Sequence, residues 1–350
     1  YVNYIGLRLI DSVTLEIGGQ QIDKQYSDWM YIWNELSLPD GKRLGWDQMV
    51  GADSDMTSFG SPTSKSSTLY IPFEFWFCRN VGLALPLIAL QYHEVKLNIK
   101  FATLAQCTYN GTAYVRNTGT LDASDALIME PFFRASLWVD YVFLDTDERR
   151  RFAQMSHEYL IEQVQFTGSE QIKSNTSAEK LKLNFNHPVK EIVWYIQEEK
   201  EIFNDFQWYN YTNSTDCNYG LSNNDDMIGN SNVFLTQNVY GITPVGTNMV
   251  DTAILQLNGN DRFSVRDGDY FSLVQPYQHH TNIPTNAGIN VYSFGLKPEE
   301  HQPSGTLNMS RIDTATLAIK SHKVGKCNVF ATNYNVLRIL SGMGGLAYSN

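Results

Sequence analysis

Seven histidines, four cysteines and a run of three arginines are the residues of this 350-residue chain whose types could make a reactive or binding centre. His93-Glu94 and His157-Glu158 each place an imidazole beside a carboxylate. Neither extends to H-E-x-x-H, the spacing that sets two histidines on one helical face for zinc, and no H-x-H pair occurs. His279-His280 falls in a polar stretch and reads as surface or structural. Cys78, Cys107, Cys217 and Cys327 lie far apart without C-x-x-C spacing, so they predict neither a zinc site nor a disulfide framework, but buried free thiols compatible with a reducing compartment. There is no G-x-S-x-G, P-loop or dinucleotide fingerprint. The glycines of the tail at 341–345 are not followed by the Lys-Ser or Lys-Thr that a phosphate cradle needs, and predict a flexible or tightly turned terminus. The sequence therefore offers no catalytic, cofactor-binding or metal-ligating residues, and no cofactor.

Charge narrows the partners. A net charge of −11 gives no general attraction for phosphate backbones, which argues against direct binding of nucleic acid. Arg149, Arg150 and Arg151 follow Asp145, Asp147 and Glu148, the pattern of a solvated linker helix whose charges complement its dipole. Asp145 is placed to cap that helix, with Glu148 completing a capping box. The longest apolar run, 81–90, contains Pro86 and is shorter than the ~20 residues of a membrane span. Five N-x-S/T sequons stand at Asn110, Asn175, Asn210, Asn213 and Asn308, the first four in predicted loops, and are candidate glycosylation sites.

The elements that carry these residues are organised around a repeat. Leu15-Glu16-Ile17-Gly18-Gly19-Gln20-Gln21-Ile22 is echoed by Leu255-Gln256-Leu257-Asn258-Gly259-Asn260-Asp261-Arg262-Phe263. Each copy runs alternating apolar residues into a Gly-Gly or Asn-Gly pair suited to the positive φ angles of a two-residue hairpin. Each continues into an acid and an aromatic, Asp28-Trp29 and Asp269-Tyr270. At 350 residues the chain has room for about two domains of ~150 residues, as a duplication requires. The 13% aromatic content with 24 glycines favours β-rich domains over helical bundles.

In chain order, 5–25 reads as strand, turn and strand. Ser27 and Asp28 then cap a short helix with Trp29, Ile32, Trp33 and Leu36 at helical spacing. The stretch 39–67 reads as a long exposed loop, 70–77 as an aromatic strand, and 86–101 as a strand with Val95, Leu97 and Ile99 on its dry face. A polar loop follows at 106–125, and 137–144 closes the first domain as a strand. Short β-like runs at 159–166, 181–185 and 189–196 open the second. The segment 198–250, with ten asparagines, is too long for an ordinary connection and reads as an elaborated loop. Strands follow at 291–296, 312–319 and 329–340. The second hairpin comes 96 residues after Tyr159 (255 − 159), the first after only 14. The first domain is therefore expected to lack its opening strands, and the chain to be a fragment of a longer protein.

Several blocks together resemble the major capsid proteins of nucleocytoplasmic large DNA viruses, of the phycodnavirus or chlorella-virus type. They are residues 15–29, Gly82-Leu83-Ala84-Leu85-Pro86-Leu87-Ile88-Ala89-Leu90-Gln91-Tyr92-His93-Glu94-Val95, Phe185-Asn186-His187-Pro188, Gln302-Pro303-Ser304-Gly305-Thr306, Ser310-Arg311-Ile312-Asp313 and Asn333-Tyr334-Asn335-Val336-Leu337-Arg338-Ile339. Leu307 departs from the Cys often found at its place in the family.

The resemblance implies an all-β double jelly roll, two antiparallel β-sandwich barrels side by side. Residues 1–145 would be the first jelly roll, N-terminally incomplete, 146–157 a linker, and 158–350 the second jelly roll. It also implies a structural subunit and no enzyme: a homotrimer forming a pseudo-hexagonal capsomer that meets neighbouring capsomers and minor capsid proteins in the virion capsid, assembled in the host cytoplasm. Loops at 38–67, 106–125 and 198–250 would form outer towers or trimer contacts. The rival readings are a jelly-roll carbohydrate-binding protein and, more remotely, a jelly-roll metalloenzyme. Binding of host-surface glycans is compatible with the capsid reading.

Overall fold

The computed structural model describes residues 2–52, 67–103, 106–107, 134–173, 175–198, 208–213 and 246–348. The expected towers at 106–125 and 198–250 lie largely outside these residues.

Both repeated hairpins form, and their turns have the backbone that the sequence calls for. Gly18 and Gly19 take φ of 60° and 80°, Asn258 and Gly259 take 51° and 80°, the positive pair of a type I′ turn. The first turn joins β1 (Ile10–Ile17) to β2 (Gln20–Tyr26), and the second joins β7 (Val250–Leu257) to β8 (Asn260–Asp261). The equivalence extends to their neighbours. β3 (Val95–Phe101) lies antiparallel to β1 with Leu15 opposite Leu97, and β12 (Ala315–Ser321) lies antiparallel to β7 with Leu255 opposite Leu317.

The second half is a jelly roll of two antiparallel sheets. One joins β10 (Asn290–Ser293), β6 (Pro188–Gln197) and β13 (Gly325–Leu340), with β4 (His157–Ile172) along the far edge of β13. The other runs β5 (Glu179–Leu183), β12, β7, β8, with β9 (Arg266–Asp267) also on β7. The short strand β11 (Leu307–Asn308) borders β6, and β14 (Met343–Leu346) borders the end of β13. Between the sheets lies a core that includes Ile192, Trp194 and Ile196 from β6, Leu255 from β7 and Leu317 from β12.

The first sheet is also dry on its outer face. Val193 and Tyr195 of β6, with Phe330, Leu337 and Ile339 of β13, belong to a second core built mainly by the first half, from Val13, Leu15, Ile17, Trp29 and Tyr31. Burial on both faces explains why Ile192–Ile196 of β6 is an unbroken apolar run rather than an alternating one. The two halves thus share one hydrophobic interior, with the β6–β13 sheet as a common wall.

Helix α2 (Ser27–Ser37) fits the expected spacing, with Trp29, Ile32, Trp33 and Leu36 all buried. Several local expectations are corrected. Ile5–Leu9 is a helix, α1, where the period-two pattern Ile5, Leu7, Leu9 predicts strand. Gly6 lets that helix lie close against Val50, since a Cβ there would stand 2.8 Å from the Val50 carbonyl oxygen. The predicted loop at 39–67 begins with α3 (Asp40–Val50), whose buried residues are only Trp46, Asp47 and Val50, too narrow a stripe to show as amphipathic periodicity. Residues 70–77 pair with no strand among the described residues and run into α4 (Trp76–Arg79). Residues 137–144 are likewise unpaired among the described residues. In α5 (Thr146–Gln154) Asp145 does cap, accepting from the Thr146 N–H at 2.7 Å, but no reciprocal bond from Glu148 accompanies it. The tail takes the tightly turned form of its two expected ones: β14 pairs with β13 across a Ser341-Gly342 turn of φ 53° and 80°.

Candidate functional site

With no catalytic constellation in the sequence, the candidate site is the seam where the halves meet, together with the surfaces left uncovered. Helix α2 places Ser27, Asp28, Tyr31 and Glu35 along the seam. Ser27 and Asp28, expected to cap the helix, make no cap bond. Ser27 Oγ donates to the Leu7 carbonyl at 2.8 Å and lies 2.6 Å from the Tyr209 hydroxyl. Asp28 accepts from the hydroxyls of Tyr195 at 2.8 Å and Tyr211 at 3.5 Å, two rings stacked 3.8 Å apart. Burial pushes the Asp28 carboxyl pKa upward, and nearby Arg8 together with the two phenols offsets part of that shift. Tyr31 packs against Tyr209 with ring centroids 4.7 Å apart and planes tilted by 36°.

Further along the helix, Glu35 accepts from the Thr285 N–H at 3.0 Å and hydroxyl at 2.8 Å, and pairs with Arg43 of α3. Arg43 also reaches Asp47 at 3.2 Å. Burial nonetheless raises Asp47 to about 6 against that partner. On β2, Asp23 accepts from the Val164 N–H of β4 at 2.9 Å, and burial lifts its pKa to about 6.

A second ionic group sits on the wall itself. Glu162 of β4 receives Arg79 from the first half at 2.8 Å and Lys190 from β6 at 3.0 Å, with His301 at 3.3 Å. Burial lowers the Lys190 pKa, while Glu162 beside it supports the charged form. Beyond β6, His280 lies wholly buried between Glu191 at 2.9 Å and Glu299 at 3.0 Å. Burial alone would lower its pKa, but the two carboxylates hold it up at about 9. Of the two expected roles, surface or structural, His280 has the structural one: the imidazole is the charged centre of a carboxylate clamp. At the opposite end of the seam His93 Nδ1 lies 2.8 Å from the Gly344 carbonyl oxygen, tying β14 to the first hairpin.

These groups are separated by up to 251 residues and carry no motif, so sequence reasoning missed them. The visible signal was compositional: polar and phenolic residues flanking predicted core strands. Among the described residues no group of three or more His, Cys, Asp or Glu side chains is arranged to hold a metal ion, and no helix is long and apolar enough to cross a membrane. Cys107 and Cys327 are buried free thiols, whereas Cys78 is exposed, a correction to its expected burial.

The sequons are not brought together. Asn175 is exposed, its amide 3.5 Å from the His322 carbonyl. Asn210 is buried, its side-chain oxygen taken by the Thr212 N–H at 3.0 Å and hydroxyl at 2.8 Å. Asn213 is half-buried and accepts from the Thr247 N–H at 3.0 Å, and Asn308, also half-buried, accepts from the Ser310 N–H at 3.1 Å. Asn110 lies outside the described residues.

Two apolar surfaces stand out against this sealed seam. Residues 137–144 expose almost every side chain, Trp138 at 87% and Phe143 at 92%. In the second half, the π-helical turn Tyr270–Val274 runs into α6 (Gln275–His279) and exposes Leu273, Val274 and Tyr277, the last at 77%. Neither belongs to a described core.

Comparison with known proteins places this two-half architecture. Residues 148–345 match the family described as large eukaryotic DNA virus major capsid protein, and residues 1–145 match the major capsid protein N-terminus. The chain is 43% identical to the major capsid protein of Phaeocystis pouchetii virus, with 100% of this chain and 82% of the relative covered. It is 39% identical to that of Paramecium bursaria Chlorella virus 1, over 99% of this chain and 80% of the relative. Among solved structures, the quasi-atomic PBCV-1 virus capsid superposes with a TM-score of 0.74 at 36% identity, covering 100% of this chain and 86% of that one. The Faustovirus major capsid protein, at 16% identity, shares the fold with a TM-score of 0.68.

Proposed function

This chain belongs to the large eukaryotic DNA virus major capsid protein family, a component of the virion shell with a double jelly-roll fold, and from that premise we propose that three copies associate into one pseudo-hexagonal capsomer. The observation that carries this reading is the duplicated register, Leu15 opposite Leu97 and Leu255 opposite Leu317, in halves fused across a common sheet. A unit with two like halves presents six similar corners when repeated three times, which suits it to tile a flat facet.

On this reading 1–145 and 158–350 are the two jelly-roll units and 146–157 joins them. The work of the protein is association, without a reaction or cofactor. Neighbouring capsomers and minor capsid proteins would meet the outer edges of the trimer, in particles assembled in the host cytoplasm. The acidic balance of the chain suits a shell that does not itself condense the genome.

Sedimentation of the purified chain tests this. A species of three times the 39.8 kDa chain mass is expected. A stable monomer that binds a defined glycan would instead favour the carbohydrate-binding reading.

A further inference from the structure

The segment between α6 and β10 crosses from one half of the molecule to the other. Its far end is anchored: Asn286, Ile289 and Val291 are buried, the latter two in the core built mainly by the first half. Residues 281–285 form a strap over the C-terminal end of α2, with Thr281, Ile283 and Thr285 exposed. The last carbonyls of a helix have no partner within it. Here the strap supplies partners. The Asn282 N–H donates to the Leu36 carbonyl at 2.9 Å and its side-chain amide donates to that of Leu38, while Thr285 donates its N–H and hydroxyl to Glu35.

The near end of the strap is held by charge. His280 immediately precedes it, with Nε2 2.9 Å from Glu191 of β6 and Nδ1 3.0 Å from Glu299. Glu299 also accepts from the Thr281 N–H at 2.9 Å and hydroxyl at 2.5 Å, so one carboxylate holds both the imidazole and the first residue of the strap. The charges around the clamp are otherwise committed. On β6, Lys190 turns to Glu162, which also receives Arg79 and His301. In the loop carrying Glu299, Lys297 pairs with Glu300, and His279 Nδ1 lies 2.9 Å from the Leu296 carbonyl oxygen. At the far end of the strap, Glu35 is paired with Arg43, which also reaches Asp47. β13 offers Glu191 the Thr332 hydroxyl at 3.3 Å. Among the described residues, neither Glu191 nor Glu299 has an ion pair other than His280.

A neutral imidazole leaves the wholly buried Glu191 carboxylate without a counter-charge, and an unpaired charge in a dry interior is costly. The enclosure must then admit water. Its β6 side is sheet buried on both faces, whereas the strap is exposed and tied to Glu299 through Thr281, so the strap is the part that yields. We propose that Glu191, His280 and Glu299 form a proton-operated latch between the halves: a charged imidazole keeps the strap on α2, and a neutral one lets the strap lift and uncap the helix. The His280 value of about 9 sets the direction. The latch is closed below it and opens as pH rises through it. Burial would raise the Glu299 pKa, but its bonds from His280 and Thr281 hold it below the ordinary carboxylate value, which keeps the latch closed in mild acid.

Hydrogen–deuterium exchange of the full chain, read by mass spectrometry as protection relative to the intrinsic rate at each pH, tests this. Peptides over 281–285 and over the last turn of α2 are expected to lose protection together between about pH 8 and 10, while peptides from β13 keep theirs. In His280→Gln, which carries no charge at any pH, the strap and that turn are expected to be open already at neutral pH, with no further step on the alkaline side. Strap protection that is unchanged through this range, or lost only together with β13, overturns the proposal. So does a folded His280→Gln variant whose strap stays protected at neutral pH or opens over the same range as the parent's. Should that variant not fold, the parent series decides alone.

Discussion

The carboxylate of Asp28, on the helix of the first half, accepts a 2.8 Å hydrogen bond from the hydroxyl of Tyr195, on the central sheet of the second, across 167 residues of sequence. Tyr195 is held in turn by Asn328, whose amide donates to its oxygen at 2.7 Å. Apolar packing alone would let the halves slide against each other. A buried carboxylate that needs a particular phenol fixes their register, because any shift leaves the charge unpaired in a dry interior.

Removing either partner should therefore be costly in a coupled way. Asp28→Ala strands two phenol hydroxyls, and a loss of roughly 2–3 kcal/mol in unfolding free energy is expected, with Tyr195→Phe losing roughly 1–2 kcal/mol. In a double-mutant cycle by urea denaturation, the two changes should couple by more than about 1 kcal/mol. Simple additivity would show that the bond contributes nothing to the seam.

The acid side of the pH profile should bear the mark of Asp23. Its folded pKa is about 6 against an ordinary 3.8, so between these values the folded chain holds a proton that the unfolded chain has released. Stability from this group thus falls as pH rises from about 4 to 6, and Asp47, raised to the same value, adds to the slope. Asp23→Asn keeps an acceptor for the Val164 N–H and removes the titration. The variant should match the parent near pH 4 and exceed it by roughly 1–3 kcal/mol at pH 7, from a shift of about two units. Parallel profiles for the two proteins between pH 4 and 7 would refute the assignment.

How much of this was legible in advance follows the range of the interaction. The hairpin at Gly18-Gly19, helix α2 and strand β3 were readable because turn chemistry and periodicity act over a few residues. Helix α3 was not, since Trp46 and Val50 alone meet the core and the other residues read as loop. Ser27 and Asp28 have the types and position of helix caps, and only the fold shows that Tyr209 and Tyr195 claim them instead. His280 looked like loop because its clamp, Glu191 and Glu299, comes from elements 89 and 19 residues away (280 − 191 and 299 − 280).

That clamp predicts the alkaline side. The His280 pKa is raised to about 9 from 6.5, so its stabilisation is complete below about pH 6.5 and is lost as pH climbs through 9. His280→Gln should flatten the decline in urea midpoint between pH 6.5 and 9.5, while lowering stability at pH 6 by roughly 2–4 kcal/mol through the unpaired carboxylates. An unchanged decline in the variant would place the alkaline loss elsewhere.

The sequons divide by accessibility. In a host that glycosylates N-x-S/T sites, Asn175 should carry glycan in the folded protein, as it is exposed. Asn210 should stay bare, because its side chain is buried and bonded to Thr212. Peptide mapping by mass spectrometry before and after amidase treatment reads both, and glycan on Asn210 in folded protein would contradict the packing of that segment.

The first hairpin offers a comparison of two glycines side by side. Gly18 and Gly19 both hold positive φ, so alanine at either incurs left-handed strain of about 1–2 kcal/mol. They differ in surroundings: a Cβ on Gly19 meets nothing within 4 Å, whereas one on Gly18 would stand 2.3 Å from His93 Nδ1. His93 cannot simply swing aside, for the same nitrogen is engaged by the backbone of Gly344, which anchors β14. Gly18→Ala should therefore cost roughly 1–3 kcal/mol more than Gly19→Ala. Adding His93→Ala to each should erase that difference, since the obstacle is then gone, and should lower the stability of both because β14 loses its tie. Thermal midpoints of the four variants decide. Equal losses for the two glycines with His93 present would mean that the hairpin and the C-terminal strand are not in contact, and that the two halves are closed by the seam alone.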